Sequence, residues 1–198
     1  MKNENMNLPN VLTISRIVMI PLMLIAAEIN YFNEFVIYKG ITLANIIVLA
    51  IFIIASLTDF FDGHIARKRE CITDFGKFMD PLADKILVFA AFIILLELGR
   101  IPGWIITIML AREFMVTGLR LIAANNNLVI AASNLGKLKT TSQIVAIIAL
   151  LLNGFPLSIF SDAVGEITLI ILTYIAAILT VVSGIDYIVK NKEVVLKK

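Results

Sequence analysis

Six stretches of about 20 mostly apolar residues, separated by short polar breaks, dominate this sequence. They lie near residues 11–30, 41–62, 81–99, 103–123, 141–160 and 165–187. A helix needs about 20 apolar residues to cross the hydrocarbon core of a bilayer, so each stretch is long enough to span it. The composition agrees, since 60% of the residues are apolar, against roughly 45–50% in soluble domains. We therefore expect an all-α integral membrane protein with six transmembrane helices, in a single domain over residues 1–198.

The distribution of basic residues predicts the orientation of these helices. With the N-terminus inside and six crossings, 15 of the 17 basic residues fall on the cytoplasmic side, and only Lys39 and Arg100 fall outside. Because cytoplasmic loops are enriched in Lys and Arg, we expect both termini in the cytoplasm and the protein in the cell membrane. The tail from Lys190 to Lys198 carries four lysines and should be attracted to anionic membrane lipids. The net charge of +2 does not point to nucleic acid, and we expect no such partner.

The first apolar stretch has a composite pattern. Asn10, Thr13 and Arg16 recur at helical spacing beside apolar residues, and Pro21 then interrupts the pattern. We expect an N-terminal interfacial helix that leads through a proline kink into the first span.

Four aspartates lie where the second and third apolar stretches meet, at the end predicted to face the cytoplasm. Asp59 and Asp62 are three residues apart and Asp80 and Asp84 are four apart, so each pair lies on one face of a helix. Two carboxylates about 4 Å apart repel by roughly 4 kcal/mol at an effective dielectric of 20, so the four need compensating charge. Oxygen ligands suit Mg²⁺ or Mn²⁺. We expect two such ions, as in two-metal sites for phosphoryl transfer.

The residues around the aspartates fit a phosphate ligand. Gly63 lets a phosphate-bearing group approach the backbone, and Arg67 supplies a fork of donors one turn further along. Gly76, which precedes Asp80 by one helical turn, is placed for the same role on the facing helix. Pro81 lacks an amide donor and fits the first turn of the next helix, after a polar connector. The alternative is that the aspartates form ordinary ion pairs with neighbouring basic residues.

The same residues resemble a known family signature. The chain reads D-F-F-D-G-H-I-A-R from Asp59, then eight residues, then G-K-F-M-D-P-L-A-D to Asp84. This resembles the signature of the CDP-alcohol phosphotransferase family, DxxDGxxAR, eight residues, GxxxDxxxD, at every specified position. Pro9–Arg16 resembles the N-terminal element of that family. Ala111–Arg120 and Gly136–Thr140 resemble in particular the members that use glycerol 3-phosphate as the acceptor.

The resemblance implies a six-helix membrane enzyme, usually a homodimer, that displaces CMP from a CDP-linked lipid with an alcohol. In this chain it implies transfer of the phosphatidyl group from CDP-diacylglycerol to glycerol 3-phosphate, which gives phosphatidylglycerophosphate and CMP in phospholipid biosynthesis. The same resemblance assigns the metal ligands as Asp59, Asp62, Asp80 and Asp84, with Asp84 also the catalytic general base. It assigns CDP binding to Asp59, Gly63, Ala66, Arg67 and Gly76.

A second cluster, of basic residues, predicts where the acceptor binds. Arg112 and Arg120 lie eight residues apart on one broad helical face, where a guanidinium costs roughly 2.5–3.5 kcal/mol unless it faces a cavity or a partner. Lys137 and Lys139 lie at the cytoplasmic start of the fifth span. We expect these four residues to form a pocket for the acceptor phosphate near the acidic cluster, with Arg16 as a further member.

The alternative is that the basic residues of this cluster have a structural role and bind no acceptor. In that case Arg112 pairs with Glu113 or with another helix, and the other three residues only anchor the helices at the cytoplasmic face.

Other functions would require some of these residues and not others. A cardiolipin-synthase-like or phosphatidylinositol-phosphate-synthase-like member of the family would keep the aspartates and use another acceptor. A divalent-cation transporter would need neither Gly63 nor Arg67, and its ionisable groups should lie near the middle of the membrane. A structural membrane scaffold would not need Asp84.

Overall fold

The computed structural model describes residues 8–69, 74–125 and 133–192. Seven α-helices and one short hairpin occur in these ranges, so the chain is mostly helical, as the sequence predicts. In order, the elements are α1 (Leu8–Glu28), α2 (Asn30–Glu34), β1 (Val36–Tyr38), β2 (Ile41–Thr42), α3 (Leu43–Arg69), α4 (Asp74–Glu97), α5 (Gly103–Asn125), α6 (Asn134–Leu151), a 3-10 turn (Leu157–Ile159) and α7 (Asp162–Lys190).

Backbone contacts divide the chain into two compact units, Met1–Ile94 and Leu95–Lys198. The first unit holds α1, α2, the hairpin, α3 and nearly all of α4. The second holds α5, α6, the 3-10 turn and α7. The expectation of a single domain over residues 1–198 stays a prediction.

Each of the six predicted stretches coincides with one long helix, but the helix ends differ from those expected. The helix α3 continues to Arg69 and α4 already begins at Asp74, so the connector between them is shorter than predicted. Pro81 therefore lies inside α4 rather than in its first turn. A proline removes only one hydrogen bond from the helix ladder, and the long apolar run that follows it continues the helix.

In the first unit α1 packs against α3. Met23 in α1 and Phe52 in α3 are completely buried. The secondary structure does not separate the expected interfacial helix from the first span, because α1 is continuous and contains Pro21. The side chain of Pro21 is exposed, so its ring does not disturb the packing against α3.

A two-stranded hairpin between α2 and α3 corrects the expectation of an all-helical chain. The strands β1 and β2 pair in antiparallel fashion. They are joined by Lys39 and Gly40, both with positive φ, at 34° and 76°, as tight hairpin turns require. The strands have three and two residues, which is too short for an alternating pattern to be recognised in the sequence.

In the second unit α7 packs against both α5 and α6. It buries small or hydroxylated residues such as Thr173, Ala176 and Thr180, and it exposes large apolar residues such as Ile178 and Ile185. A helix in water shows the opposite distribution. Small residues let neighbouring helices approach closely within a bilayer, where large apolar side chains can face lipid.

Among the residues that the structure describes, α7 is the one helix that is by itself long and apolar enough to cross a membrane. A shorter apolar segment, Leu43–Thr58, lies in α3. The helix α5 is comparably long but carries three charged residues, Arg112, Glu113 and Arg120.

The helix α6 ends at Leu151, well before the predicted residue 160. Gly154 follows with a φ of 77°, and a Cβ atom there would lie 3.0 Å from the Cα of Gly165 at the start of α7. Only glycine fits this close approach without strain. The chain can therefore turn at this point and pass through the 3-10 turn into α7.

Arg100 stabilises the end of α6 from the loop before α5. Its Nη1 donates hydrogen bonds to the carbonyl oxygens of Leu150 and Leu151, at 2.6 and 3.0 Å. These carbonyls belong to the last turn of the helix, where intrahelical amides run out, and that of Leu150 also accepts from the amide of Asn153 at 3.1 Å. A cation there complements the helix dipole. Burial lowers the pKa of the Arg100 guanidinium from its ordinary value.

Candidate functional site

The four aspartates all lie on helices. Asp59 and Asp62 belong to the last turns of α3, and Asp80 and Asp84 belong to α4. The backbone is helical at all four positions, so the predicted i, i+3 and i, i+4 registers are confirmed, with rises of about 4.5 and 6 Å. The side chain of Asp84 is half-buried. The side chains of Asp59, Asp62 and Asp80 lie outside those that the structure describes.

The residues predicted to bind CDP follow the same two helices. Gly63, Ala66 and Arg67 lie in α3 and Gly76 lies in α4, all with helical backbone. The two glycines therefore do not serve as turn residues, and their role in the close approach of a ligand stays a prediction. The side chain of Arg67 lies outside the described ones, so its contact with phosphate stays a prediction.

The donor set of the acidic cluster fits a hard divalent cation. All four side chains offer only carboxylate oxygens, and the spacing within each pair is that of residues on one face of a helix. The side chains that the structure describes contain no cluster of three or more histidine, cysteine, aspartate or glutamate residues able to hold a metal ion. Three of the four aspartates are not among those side chains, and the predicted metal site stays a prediction.

In the second unit, two of the predicted basic residues meet at one carboxylate. The Nη1 of Arg112 donates to the Oε1 of Glu113 at 2.7 Å, and the Nζ of Lys139 donates to the same oxygen. Arg112, Glu113 and Lys139, which we call the buried triad, have side chains that are 9%, 12% and 6% exposed. Because a buried charge without a partner is strongly destabilising, the carboxylate is what allows two cations to lie here.

The buried triad keeps one donor without a partner. The Nε of Arg112 is buried and makes no hydrogen bond among the described residues. Leaving such a group unsatisfied costs about 1–3 kcal/mol. The triad also carries a net charge of +1, since two cations share one carboxylate.

Gly184 in α7 makes room for the Arg112 side chain. A Cβ atom at Gly184 would lie 2.9 Å from the Cγ and 3.8 Å from the Nε of Arg112. Real Cβ atoms essentially never make contacts as short as the first of these. The arginine stem therefore lies directly on the bare backbone of α7.

Arg120 has different surroundings two turns further along α5. Its Nε donates to the hydroxyl oxygen of Tyr187 at 3.2 Å, and its guanidinium lies 5.5 Å from the centroid of the same ring. Tyr187 is only 2% exposed, whereas Arg120 is exposed. The ring and the hydroxyl thus hold the guanidinium from one side and leave its outer edge towards solvent.

Lys137 and Lys139 lie in the first turns of α6 and face different surroundings. Ser133 caps the helix by accepting a hydrogen bond from the amide of Gly136 at 3.1 Å, which fixes where α6 begins. Lys139 is 4% exposed and belongs to the buried triad, whereas Lys137 is exposed. Two residues of separation place them on different faces of the helix.

Arg16 lies in the first unit, in the contact between α1 and α3. Its side chain is completely buried, and its Nε donates to the carbonyl oxygen of Ala55 at 3.4 Å. Ala55 is one helical turn before Asp59. The predicted role of Arg16 in binding the acceptor stays a prediction.

The structure thus joins some of the predicted residues through Glu113, which the sequence offered as a partner of Arg112, and through Gly184 and Tyr187, which it did not single out. The pairing of Arg112 with Glu113, considered above as an alternative, is confirmed, and Lys139 shares the same carboxylate. Glu113 had a visible signal, because an acid in an apolar stretch needs a partner. Gly184 and Tyr187 had none, since no spacing relates them to Arg112 or Arg120.

Comparison with known proteins identifies the family of the chain. A curated CDP-diacylglycerol–glycerol-3-phosphate 3-phosphatidyltransferase of Bacillus subtilis (strain 168) is 44% identical over 189 residues, which cover 94% of this chain and 96% of the relative. The protein of the same name from Rickettsia felis is 41% identical over 182 residues, or 91% and 93% of the two chains. A probable phosphatidylglycerophosphate synthase of Mycobacterium tuberculosis (strain H37Rv) is 40% identical over 186 residues, or 93% and 81%.

The family model agrees with these relatives and confirms the family indicated by the aspartate spacing. The model described as CDP-alcohol phosphatidyltransferase matches residues 6–189, which include both the acidic cluster and the buried triad. The chain belongs to the CDP-alcohol phosphatidyltransferase family.

Proposed function

We propose that this chain transfers the phosphatidyl group of CDP-diacylglycerol to sn-glycerol 3-phosphate and releases CMP. The observation that carries the proposal is the identity of 44% to the Bacillus subtilis enzyme over nearly the full length of both chains, because the name of that relative states this reaction. The product is phosphatidylglycerophosphate, a precursor in phospholipid biosynthesis.

The acidic cluster is proposed to hold two divalent ions, Mg²⁺ or Mn²⁺, through Asp59, Asp62, Asp80 and Asp84. When bound, these ions supply positive charge that offsets the charge of the diphosphate and of the departing CMP. The helical registers of both aspartate pairs support this assignment.

Asp84 is proposed to act as the general base. Its carboxylate takes the proton from the free primary hydroxyl of glycerol 3-phosphate, and the hydroxyl oxygen attacks the phosphorus on the lipid side of the diphosphate. The bond from that phosphorus to the CMP oxygen breaks, and CMP leaves with the electron pair. The half-buried position of Asp84 suits this role, since a base must be reachable by substrate and yet shielded from bulk water.

Positioning of the two substrates is proposed to fall to different residues. Gly63, Ala66, Arg67 and Gly76 would cradle CDP on α3 and α4, with Arg67 donating to the diphosphate oxygens. Arg112, Arg120, Lys137 and Lys139 would bind the phosphate of the acceptor, with Arg16 as a further member, because a guanidinium fork matches phosphate geometry. Arg120 and Lys137 are the exposed members of this set.

The membrane arrangement belongs to the same proposal. We infer six transmembrane helices with both termini and the aspartates at the cytoplasmic face, where water-soluble glycerol 3-phosphate is available. The inverted burial pattern of α7 and the asymmetry of basic residues support it. As in the family resemblance, we expect a homodimer.

An acceptor panel tests the proposed function. Purified protein in detergent micelles with CDP-diacylglycerol is offered glycerol 3-phosphate, phosphatidylglycerol, inositol phosphate or no acceptor, each with Mg²⁺, with Mn²⁺ or with excess EDTA. CMP release and the lipid product are measured. We expect phosphatidylglycerophosphate only with glycerol 3-phosphate, and loss of at least about 99% of CMP release in EDTA.

Other results would contradict the proposal. Turnover of phosphatidylglycerol or inositol phosphate without turnover of glycerol 3-phosphate would assign a different acceptor. Divalent-cation flux into liposomes without any CMP release would favour a transporter. Full activity in EDTA would remove the metal site from the proposal and leave the acceptor assignment intact.

A further inference from the structure

We propose that Glu113 is a positioning residue for the acceptor phosphate, which it serves by holding Arg112 and Lys139 in place, and that Gly184 gives Arg112 the room it needs. This inference rests on the proposed function, because it assumes a phosphorylated acceptor. It goes beyond that function by giving roles to an acidic residue and a glycine that do not themselves bind the anion.

The charges of the buried triad support an anion site. Arg112 and Lys139 both donate to one oxygen of Glu113, so a single carboxylate brings together cations from α5 and α6. Two cations and one carboxylate therefore lie together where the side chains are about nine-tenths buried. A phosphate monoester offers charged acceptor oxygens that both cations can bind.

The hydrogen bonds of Arg112 point the same way. Its Nη1 is engaged by Glu113, while its Nε is buried and makes no hydrogen bond within the described ranges of the chain. Buried polar groups without a partner are rare in folded proteins and require an explanation. A phosphate oxygen is an acceptor of the kind that an arginine donor binds best.

Gly184 fixes the path of the Arg112 stem. The Cγ of Arg112 lies where it would be 2.9 Å from a Cβ at position 184, so any larger residue would displace the stem while leaving all three charges of the triad in place. Gly184→Ala therefore tests the position of the Arg112 side chain without changing the charge of the triad. Gly103 provides a matched control, because a Cβ there meets Leu96 at an ordinary 3.6 Å.

A positioning role and a purely electrostatic role of Glu113 predict opposite effects of Glu113→Gln. If Glu113 acted only through its charge, its removal would raise the net charge of the triad and tighten the binding of an anion. If it acts by holding Arg112 and Lys139 in place, its removal lets two like-charged side chains move apart and weakens binding. The sign of the change in KM for glycerol 3-phosphate therefore separates the two.

The experiment measures kcat and the KM of each substrate for the full-length protein and for five variants: Glu113→Gln, Lys139→Met, the combination of these two, Gly184→Ala and Gly103→Ala. We expect Glu113→Gln to raise the KM for glycerol 3-phosphate about tenfold and Gly184→Ala to raise it about threefold or more, with the KM for CDP-diacylglycerol within about twofold. Gly103→Ala should match the wild type. The combined Glu113→Gln and Lys139→Met variant should show less than the product of the single effects, because both changes disrupt one contact.

Three results would overturn the inference. The first is an unchanged or lowered KM for glycerol 3-phosphate in both Glu113→Gln and Gly184→Ala. The second is a parallel loss of kcat and of affinity for both substrates, with a lower thermal midpoint, since this indicates a purely structural triad. If Glu113→Gln does not fold, Gly184→Ala decides by itself. The third result, absence of wild-type turnover with glycerol 3-phosphate, is distinct because it removes the proposed function first.

Discussion

At the scale of single residues, Arg112 and Arg120 show that two arginines on one helix can have different chemistry. Arg112 is buried and shares a carboxylate with Lys139. Arg120 is exposed and is held by the hydroxyl and the ring of Tyr187. Their neighbours in α6 and α7 decide this difference, since both residues lie in the same largely apolar helix. We therefore expect them to respond differently to substitution of those neighbours.

The first prediction at this scale concerns Asp84. Asp84→Asn keeps the size of the side chain and removes the group that accepts the proton, so kcat should fall at least about a hundredfold. CMP release is the measurement, and membrane insertion and thermal midpoint should stay as in the wild type. Asp162→Asn, an acid-to-amide change in the first turn of α7, is the control and should keep activity. Activity of Asp84→Asn near the wild-type level would rule out the general base.

The second prediction concerns Tyr187. Tyr187→Phe keeps the ring beneath Arg120 and removes the hydroxyl that accepts from its Nε at 3.2 Å. Loss of one hydrogen bond to a partly exposed charged group should cost about 1 kcal/mol, which corresponds to about fivefold in the KM for glycerol 3-phosphate. Steady-state kinetics with varied acceptor measure it. Tyr174→Phe, on the same helix and exposed, should have no effect, and equal effects of the two changes would contradict a specific role for Tyr187.

At the scale of elements, helix ends place the functional residues. The extension of α3 to Arg69 and the early start of α4 at Asp74 put all four aspartates on regular helix, where their spacing has a defined geometry. The Ser133 cap fixes the start of α6 and thus the faces on which Lys137 and Lys139 lie. A one-residue shift in the register of either helix would rotate these positions by about 100° around the helix axis.

The prediction at this scale concerns the turn between α6 and α7. Gly154→Ala puts a Cβ at a residue with a φ of 77° and 3.0 Å from the backbone of Gly165, so the free energy of unfolding should fall by about 1–3 kcal/mol. Thermal unfolding in detergent measures it, with Gly103→Ala as the helix-compatible control. The KM values should stay unchanged, because the turn lies at the opposite end of α6 from Lys137 and Lys139. An unchanged thermal midpoint would show that the turn relaxes without cost.

At the scale of the whole molecule, the medium around the protein decides whether its exposed apolar surface is favourable. The large exposed isoleucines and valines of α7 would be unfavourable in water, and the proposed bilayer removes that cost. The proposed orientation also assigns each basic residue to a side, with Lys39 outside and the C-terminal lysines inside.

That orientation gives the last prediction. In a Cys71→Ser background, which removes the only cysteine of the chain, Lys39→Cys should react with a membrane-impermeant maleimide in intact cells. Lys192→Cys should react only after permeabilisation, because six crossings return the chain to the cytoplasm. Labelling of both sites in intact cells would mean an even number of spans between them and would reject the six-span arrangement. Retained CMP release shows that each variant is folded.

The sequence by itself determined the helical character, the six long helices and the family. Apolar runs of sufficient length and the spacing of four aspartates carry that information locally, since each depends only on residues close in the chain. The ends of the helices were less predictable. The helix α4 continues across Pro81 because a long apolar run follows it, and the chain turns after Leu151 where Gly154 closely approaches Gly165. The hairpin from β1 to β2 was missed because its strands are too short to show a period.

Only the tertiary structure decided how the basic residues divide. It placed Glu113 between Arg112 and Lys139, Gly184 under the stem of Arg112, and Tyr187 beneath Arg120. Arg112 and Glu113 are neighbours in the chain. The other contacts join distant residues: Glu113 and Lys139 are 26 positions apart, Arg120 and Tyr187 are 67 apart, and Arg112 and Gly184 are 72 apart. The physical reason is that burial and pairing of charges depend on which helices meet, and the packing of α7 against α5 and α6 is not encoded in any local pattern.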